Sequence, residues 1–134
     1  MDQKTNELFT ATGRRKKAAA CVRVLLKGTG KIIINGKECT KYFSTIDNIV
    51  EVKKPLQVAE LEGKIDIFAN VKGGGTSGQA GAVSLGISRC LVDWNPQIRF
   101  ALRREELLTR DPRAKERKKY GRKGARRRFQ WTKR

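Results

Sequence analysis

Histidine is absent from the 134 residues of this chain. Without it there is no Ser-His-Asp or Cys-His nucleophile pair, and the commonest metal ligand and general base are missing together. Cysteine is scarce: Cys21, Cys39 and Cys90 stand far apart, form no Cys-x-x-Cys pair and leave an odd thiol over. Neither a disulfide framework nor a zinc site is indicated, and the three read as small buried or half-buried hydrophobes. No hydrophobic run approaches the ~20 apolar residues that span a bilayer. The opening MDQKTNELFT lacks the apolar core of a secretory signal, so a soluble, cytosolic protein is expected. Acidic residues are the last shortage: 13 Asp and Glu face 31 Lys and Arg, a formal net charge of +18.

Most of that excess lies at the C-terminal end. From Arg113 to Arg134, RAKERKKYGRKGARRRFQWTKR, 12 of 22 residues are Lys or Arg and only Glu116 is acidic, which puts +11 here and +7 on the other 112 residues. With no hydrophobic run, glycines at 121 and 124 and self-repelling charge, the segment is expected to stay extended until an anionic partner neutralises it. Tyr120, Phe129 and Trp131 are interleaved with the cations. Nucleic acid therefore fits better than a plain acidic surface, since Arg and Lys meet phosphates while aromatic faces stack on unpaired bases. A merely solubilising or nuclear-targeting tail gains nothing from those aromatics. A membrane-surface role needs an apolar face, and positions 113–128 offer only Ala114, Tyr120 and Ala125.

The remainder is about one domain's worth of chain, enough for a modest core. Residues 1–10 are polar and aperiodic and read as frayed, and residues 1–13 together read as a flexible N-terminus. A basic knot, Arg14-Arg15-Lys16-Lys17, then precedes Ala18–Lys27, where Ala20, Val22, Val24 and Leu26 alternate with Cys21, Arg23, Leu25 and Lys27. That period of two predicts a strand with one face buried. Gly28-Thr29-Gly30 reads as a turn into a short strand, Lys31–Ile34, closing a hairpin, with Asn35-Gly36 as a second turn. The basic knot is either an exposed edge guard or, as the overall charge favours, a second nucleic-acid contact. From Glu38 to Lys54, Tyr42, Phe43, Ile46, Ile49 and Val50 recur at helical spacing, in one helix or two short ones, with Pro55 as the stop. Leu56–Leu61 and Lys64–Val71 read as strands of a second hairpin, with Ile65, Ile67, Ala69 and Val71 on one face.

The stretch Val71-Lys72-Gly73-Gly74-Gly75-Thr76-Ser77-Gly78-Gln79 satisfies G-x-G-x-x-G literally at Gly73, Gly75 and Gly78. A dinucleotide fold needs a second parallel strand ending in an acid about 20 residues on. Here Asp93 falls in the last turn of the helix expected over Ser77–Trp94, and NPQIRFALRREEL is no strand. The Walker pattern fails as well, because Gln79-Ala80 stand where Lys and Ser or Thr should meet phosphate and magnesium. A phosphotransferase or nucleotide-binding enzyme is therefore the weaker alternative. What remains is a glycine loop at a helix N-terminus, which can offer backbone N–H groups to a polynucleotide phosphate or can simply turn tightly against neighbouring backbone. The helix presents Ala80, Val83, Ile87, Cys90, Leu91 and Trp94 as a core face, and Gly81 and Gly86 within it suggest close packing on the sheet. Arg99–Leu108 reads as a shorter helix with Phe100, Leu102, Leu107 and Leu108 available to dock.

Three blocks in one order, VKGGGTSGQAGAVSLGISRCLVDWNP, LLTRDPRAKERKKYGRKGARRR and a closing TKR, resemble the ribosomal protein S-nine family of the small subunit in its bacterial form. The likeness runs from about Gly13 to the last residue; the family usually closes on Pro-Gln-Phe-Ser-Lys-Arg, where this chain has Phe129-Gln130-Trp131-Thr132-Lys133-Arg134. The resemblance implies an α/β (α+β) two-layer sandwich, a mixed four-stranded sheet with packed helices and a left-handed βαβ crossover, like the second domain of ribosomal protein S-five, plus the extended basic tail. It implies a globular RNA-binding domain over 14–112 against the 3′ major domain of small-subunit ribosomal RNA in the subunit head, beside other head proteins. It also implies a tail over 113–134 that threads through RNA, with Lys133 and Arg134 touching the anticodon stem-loop of peptidyl-site tRNA. A bacterial or organellar ribosome, no cofactor, no metal and no catalysis are expected.

The expected RNA-contacting set has three parts. The first is Arg14, Arg15, Lys16 and Lys17. The second is Lys72, Gly73, Gly74, Gly75, Ser77 and Gln79 of the glycine loop and helix start. The third is Arg110, Arg113, Arg117, Lys118, Lys119, Tyr120, Arg122, Lys123, Arg126, Arg127 and Arg128 of the tail.

Overall fold

The computed structural model describes residues 8–131. Strands β1 (Leu8–Arg15) and β2 (Ala18–Leu25) pair antiparallel from Leu8 opposite Leu25 to Arg15 opposite Ala18, around a two-residue turn of Lys16 and Lys17. Residues 8–13, expected to be flexible, are thus strand. Their Thr-rich alternation is too weak a signal alone, and pairing with the strongly patterned β2 supplies what local sequence does not. β2 pairs on its other side with β5 (Asp66–Lys72), and β5 runs parallel to β3 (Ile32–Ile34), which carries the two-residue edge strand β4 (Lys37–Glu38). The sheet is mixed and has five strands in the order β1-β2-β5-β3-β4, one more than expected.

Both expected hairpins are replaced. The chain after β2 does not fold back on it, because β5 inserts between β2 and β3. The loop that permits this is held by a carboxylate: Asp66 Oδ1 accepts the N–H groups of Thr29 (2.9 Å), Gly30 (3.1 Å) and Lys31 (3.0 Å). The second hairpin fails because Leu56–Leu61 is not a strand. The helical stretch divides, as allowed for, into α1 (Cys39–Tyr42) and α2 (Ile46–Val58), and α2 runs through Pro55 rather than stopping there. Proline removes one helical hydrogen bond, but Val52, Pro55 and Leu56 are all buried, and their packing offsets that loss. Of the expected stripe, Phe43 is buried while Ile46 and Val50 are exposed. β3 and β5 are therefore joined by a helical crossover, with β4, α1 and α2 between them.

The central reading holds. α3 (Thr76–Trp94) spans the predicted helix, with Ala80, Val83, Ile87, Cys90 and Leu91 buried, and Ile65, Ile67, Ala69 and Val71 face the same core from β5 and its approach. A short 3-10 turn (Pro96–Ile98) leads to α4 (Arg99–Arg104), which is shorter than expected. Leu102 and Leu107 dock, whereas Phe100 stays exposed. No strand follows α3 among the described residues, in keeping with the rejected dinucleotide motif. Cys39 and Cys90 are buried and Cys21 is exposed; burial, with Asp93 nearby, pushes the Cys90 thiol up to about 12, so it stays protonated and behaves as a hydrophobe. No helix among the described residues is long and apolar enough to cross a membrane.

The layers meet most closely where two glycines face each other. A Cβ on Gly13 would overlap the Ala82 carbonyl oxygen and stand 2.5 Å from the Gly86 nitrogen, and a Cβ on Gly86 would stand 2.5 Å from Val22 Cγ2. Gly86 therefore has the packing reason that its low helix propensity called for. Backbone cannot give way as a side-chain tip can. Gly13→Ala should lower stability by roughly 3 kcal/mol; an unchanged urea midpoint would show that the two layers can part without loss.

Candidate nucleic-acid interface

Three segments that are remote in sequence converge at one end of the sheet. The β1–β2 turn carries the basic knot, and β5 ends beside it at Lys72, which is opposite Ala19 on β2. The glycine loop then folds over the turn: a Cβ on Gly73 would lie 2.6 Å from the Lys17 carbonyl oxygen, and one on Gly74 would lie 3.0 Å from the Ala18 nitrogen. Both glycines have positive φ, +77° and +66°, so both the tight turn and the close approach require them. Gly75, by contrast, has open space around it and forms the N-cap of α3 in extended conformation, with no side-chain cap and no acidic residue in the first turn. The N-terminal N–H groups of a 19-residue helix are thus presented beside Ser77 and Lys72, both exposed.

The start of the tail arrives at the same place. Arg15, Lys16, Asp111, Arg113, Ala114 and Lys115 line one cleft of about 420 Å³. A second cleft of about 230 Å³ brings Arg14, Arg15 and Glu51 together with Thr109, Asp111 and Arg113. The Arg113 guanidinium forks onto Asp111, with Nε 2.9 Å from Oδ2, and holds that carboxyl well below the usual carboxylate range.

Not every residue of the expected set is free to meet a ligand. Arg15 crosses Gly81 on α3 and donates from Nη1 to Glu51 Oε1 on α2 at 2.9 Å. Gln79 is engaged at both ends of its amide: Tyr42 Oη donates to Oε1 (2.8 Å), and Nε2 donates to the Gly73 carbonyl (3.1 Å). Tyr42 Oη in turn accepts from Asn35 Nδ2 (3.3 Å). The same Asn35 amide continues the ladder past the end of β3, donating to the Val71 carbonyl (3.0 Å) and accepting from the Val71 N–H (2.8 Å). A polar chain from Asn35 through Tyr42 and Gln79 thus fixes the glycine loop. Sequence reasoning took Asn35 as a turn residue and Tyr42 as part of a helical stripe, and it missed Asp66 and Glu51 as braces. Only the Asn-Gly pair carried a readable signal, through the positive φ (+50°) that Asn35 adopts.

Beyond Ala114 the tail is not helix or strand as far as it is described, to Trp131. Every hydrogen bond and ion pair found for residues 113–131 stays within 111–128. Glu116 pairs with Lys119 and with Arg126 Nε (3.0 Å), and Lys123 N–H donates to the Arg127 carbonyl (2.9 Å), closing a loop around Gly121 and Gly124. Arg110, Arg117, Lys118, Arg127 and Arg128 are exposed, and so are Tyr120 (97%) and Trp131 (79%). Lys133 and Arg134 lie outside the described residues.

The comparisons with known proteins agree with the family that the sequence resembles. A family profile described as Ribosomal protein S9/S16 matches residues 13–134. The chain belongs to this family. A relative from Anaeromyxobacter sp. strain K, named Small ribosomal subunit protein uS9, is 52% identical over 122 residues, 91% of this chain and 93% of its own length. Proteins of the same name from Methylacidiphilum infernorum (52% over 129 residues, 96% and 94%) and Solidesulfovibrio magneticus (48% over 130 residues, 97% and 99%) are similar over nearly their whole lengths. This is a family of structural ribosomal proteins and not of enzymes.

Two outcomes are expected from this geometry. Tyr42→Phe removes the hydroxyl's two hydrogen bonds, to Gln79 and from Asn35, each worth about 1 kcal/mol, so amide exchange at 73–78 should quicken while the β2–β5 ladder keeps its protection; equal rates would show that the polar chain does not hold the loop. Hydrogen bonds from Lys119 and Arg126 depress the Glu116 carboxyl. A depressed carboxylate keeps its contact at neutral pH and loses it as pH falls through the lowered value, so in a carboxyl-carbon NMR titration Glu116 should titrate below an ordinary glutamate. An ordinary midpoint would mean that the tail loop is not closed in solution.

Proposed function

We propose that this chain is a structural component of the small ribosomal subunit that binds ribosomal RNA in the subunit head and reaches peptidyl-site tRNA with the end of its tail. The observation that carries the reading is the convergence of the basic turn, the glycine loop with the open start of α3, and the root of an arm of charge +11. Phosphates are the ligand that all three suit: point charges from Lys16, Lys17 and Lys72, guanidinium forks from Arg14 and Arg113, and helix N–H groups. Residues up to about 112 form the globular RNA-binding part, and 113–134 form the arm. Lys118, Lys119, Tyr120, Arg122, Lys123 and Arg126–Arg128 line its path through the 3′ major domain, beside neighbouring head proteins, and Lys133 and Arg134 meet tRNA phosphates by the anticodon. In this reading the crossover from β3 to β5 is left-handed. Arg15 and Gln79 support the interface from behind, through Glu51 and Gly73. The relatives are bacterial, and their ribosomes are cytoplasmic. The chain does no bond chemistry: it is a fixed cationic support for RNA.

Binding should be governed by phosphate neutralisation. If about eight phosphates are met, log K for a duplex RNA should fall with log salt at a slope near −7. In lysate gradients the protein should sediment with the small subunit both at low and at about 0.5 M salt, because a threaded arm is not stripped as an exposed ion pair is. Free protein under both conditions would overturn the assignment. Removing Lys133 and Arg134 should leave incorporation intact and raise the dissociation rate of peptidyl-site tRNA; an unchanged rate would refute the role of the tip.

A further inference from the structure

We propose that the uncovered face of the sheet is a separate RNA surface, on which an unpaired base stacks on Phe68 while Arg23 and Asn70 meet its polar edge. The proposal rests on the RNA-binding function above and adds a surface that the basic end does not include. α2 and α3 cover one face of the sheet only. On the other, strand register places Thr10, Arg23, Phe68 and Ile33 side by side across four strands, and the next row is Thr12, Cys21 and Asn70. Phe68 is 37% exposed on a central strand and Leu8 is 54% exposed, although apolar side chains of this size usually face the core. Leu8, Arg23, Leu25, Phe68 and Asn70 line a groove of about 400 Å³.

The chemistry of the groove selects its occupant. A hydrophobic protein segment seated there would bury Arg23 and Asn70 without partners, at high cost. A nucleobase offers an aromatic face to Phe68 and edge acceptors to both polar side chains, which is how flat sheets with exposed aromatics bind single-stranded RNA. Of the acids on this face, Asp66 already accepts three backbone N–H groups from its own loop, and Glu38 stands opposite Ile33 on the edge strand β4; neither lines the groove. Two residues further along each strand the face ends in Arg14 opposite Ala19 and Lys72 opposite Ala19, so a strand of RNA leaving Phe68 runs directly onto the basic end.

The test uses the full chain, a short unstructured oligoribonucleotide carrying 4-thiouridine, and a duplex of equal length, at about 0.4 M salt so that tail contacts with phosphate are weakened. Phe68→Leu keeps apolar bulk in the groove and removes the aromatic face; Arg23→Gln removes the cation at an exposed position. Phe68→Leu should weaken single-strand binding about 5- to 100-fold, with duplex binding and the salt slope unchanged because no phosphate contact is lost. The wild-type crosslink should map to the peptide Ile65–Lys72. If Phe68→Leu proves unstable, Arg23→Gln and the crosslink decide the matter in its place. Equal single-strand affinity in both variants, or crosslinks confined to the tail, overturns the proposal and leaves the RNA function standing. Loss of a neighbouring protein from reconstituted subunits with RNA affinity unchanged assigns the face to protein and also overturns it. A wild-type chain that binds neither RNA sinks the underlying function together with this surface.

Discussion

The contact of Gly13 with Ala82 and Gly86 is the constraint on which the rest of the structure depends. With no side chain at either glycine, the backbone of β1 lies against the backbone of α3, and Val22 of β2 fills the space beside Gly86. That contact fixes the line along which α3 crosses the hairpin, and hence where its N-terminus emerges. It emerges over the β1–β2 turn, close enough for a Cβ on Gly78 to lie 3.5 Å from the Arg15 carbonyl oxygen and for Gly73 and Gly74 to press on Lys17 and Ala18. The helix dipole, the glycine loop and the four basic residues are thereby brought to one place by packing alone. Charge would have kept them apart.

The scarce acids serve as braces inside this cationic end. Glu51 holds Arg15, Asp111 holds Arg113, and Glu116 gathers Lys119 and Arg126, while Asp66 gathers three amides of the loop before β3. Exposed pairs of this kind add little stability, because water screens them and ordering long side chains costs entropy. Their effect is on geometry. Glu51, Asp111 and Glu116 each hold a guanidinium or ammonium group in place, and in the proposed function a phosphate, with more charge and more acceptor oxygens, takes over that partner. The tail illustrates this: Glu116, its single acid after Asp111, closes the loop that follows, so the arm leaves the domain already folded back in part.

What the sequence made legible follows from where local and tertiary signals agree. β2, β5 and α3 carry strong periods of 2 or 3.6, and all three stand where predicted. β1 does not, because Thr10, Ala11 and Thr12 have no strong preference until β2 supplies a partner. The turn at Gly28-Thr29-Gly30 looked like a hairpin, since nothing local reveals that Asp66, some 36 residues on, captures its amides. Pro55 looked like a stop, since its burial in the folded domain is invisible in a window around it. At the candidate site, charge and aromatic spacing marked the tail and the basic knot. They could not separate Arg15, committed to Glu51, from Arg14 beside it, nor show that Gln79 is held by Tyr42, because side-chain partners 36 and 37 residues away leave no trace in local composition.

Convergence of like charge at one end has an energetic consequence of its own. In the free protein Lys16, Lys17, Lys72, Arg14 and the root of the arm repel one another around the turn and loop, with Glu51, Glu106 and Asp111 the acids lining the same clefts. Self-repulsion of this kind destabilises the compact state that creates it. A polyanion placed there relieves the repulsion only when the turn, the loop and the arm are together, which happens only in the folded chain. Because it binds the folded form better than the unfolded one, it raises stability by mass action. Under the proposed function, fold and ligand are in that sense complementary: the glycine contact holds together an end that electrostatics disfavours, and RNA would remove the disfavour. A bound polyanion at this end would therefore add to the stability of the domain, and the more so the higher its phosphate density.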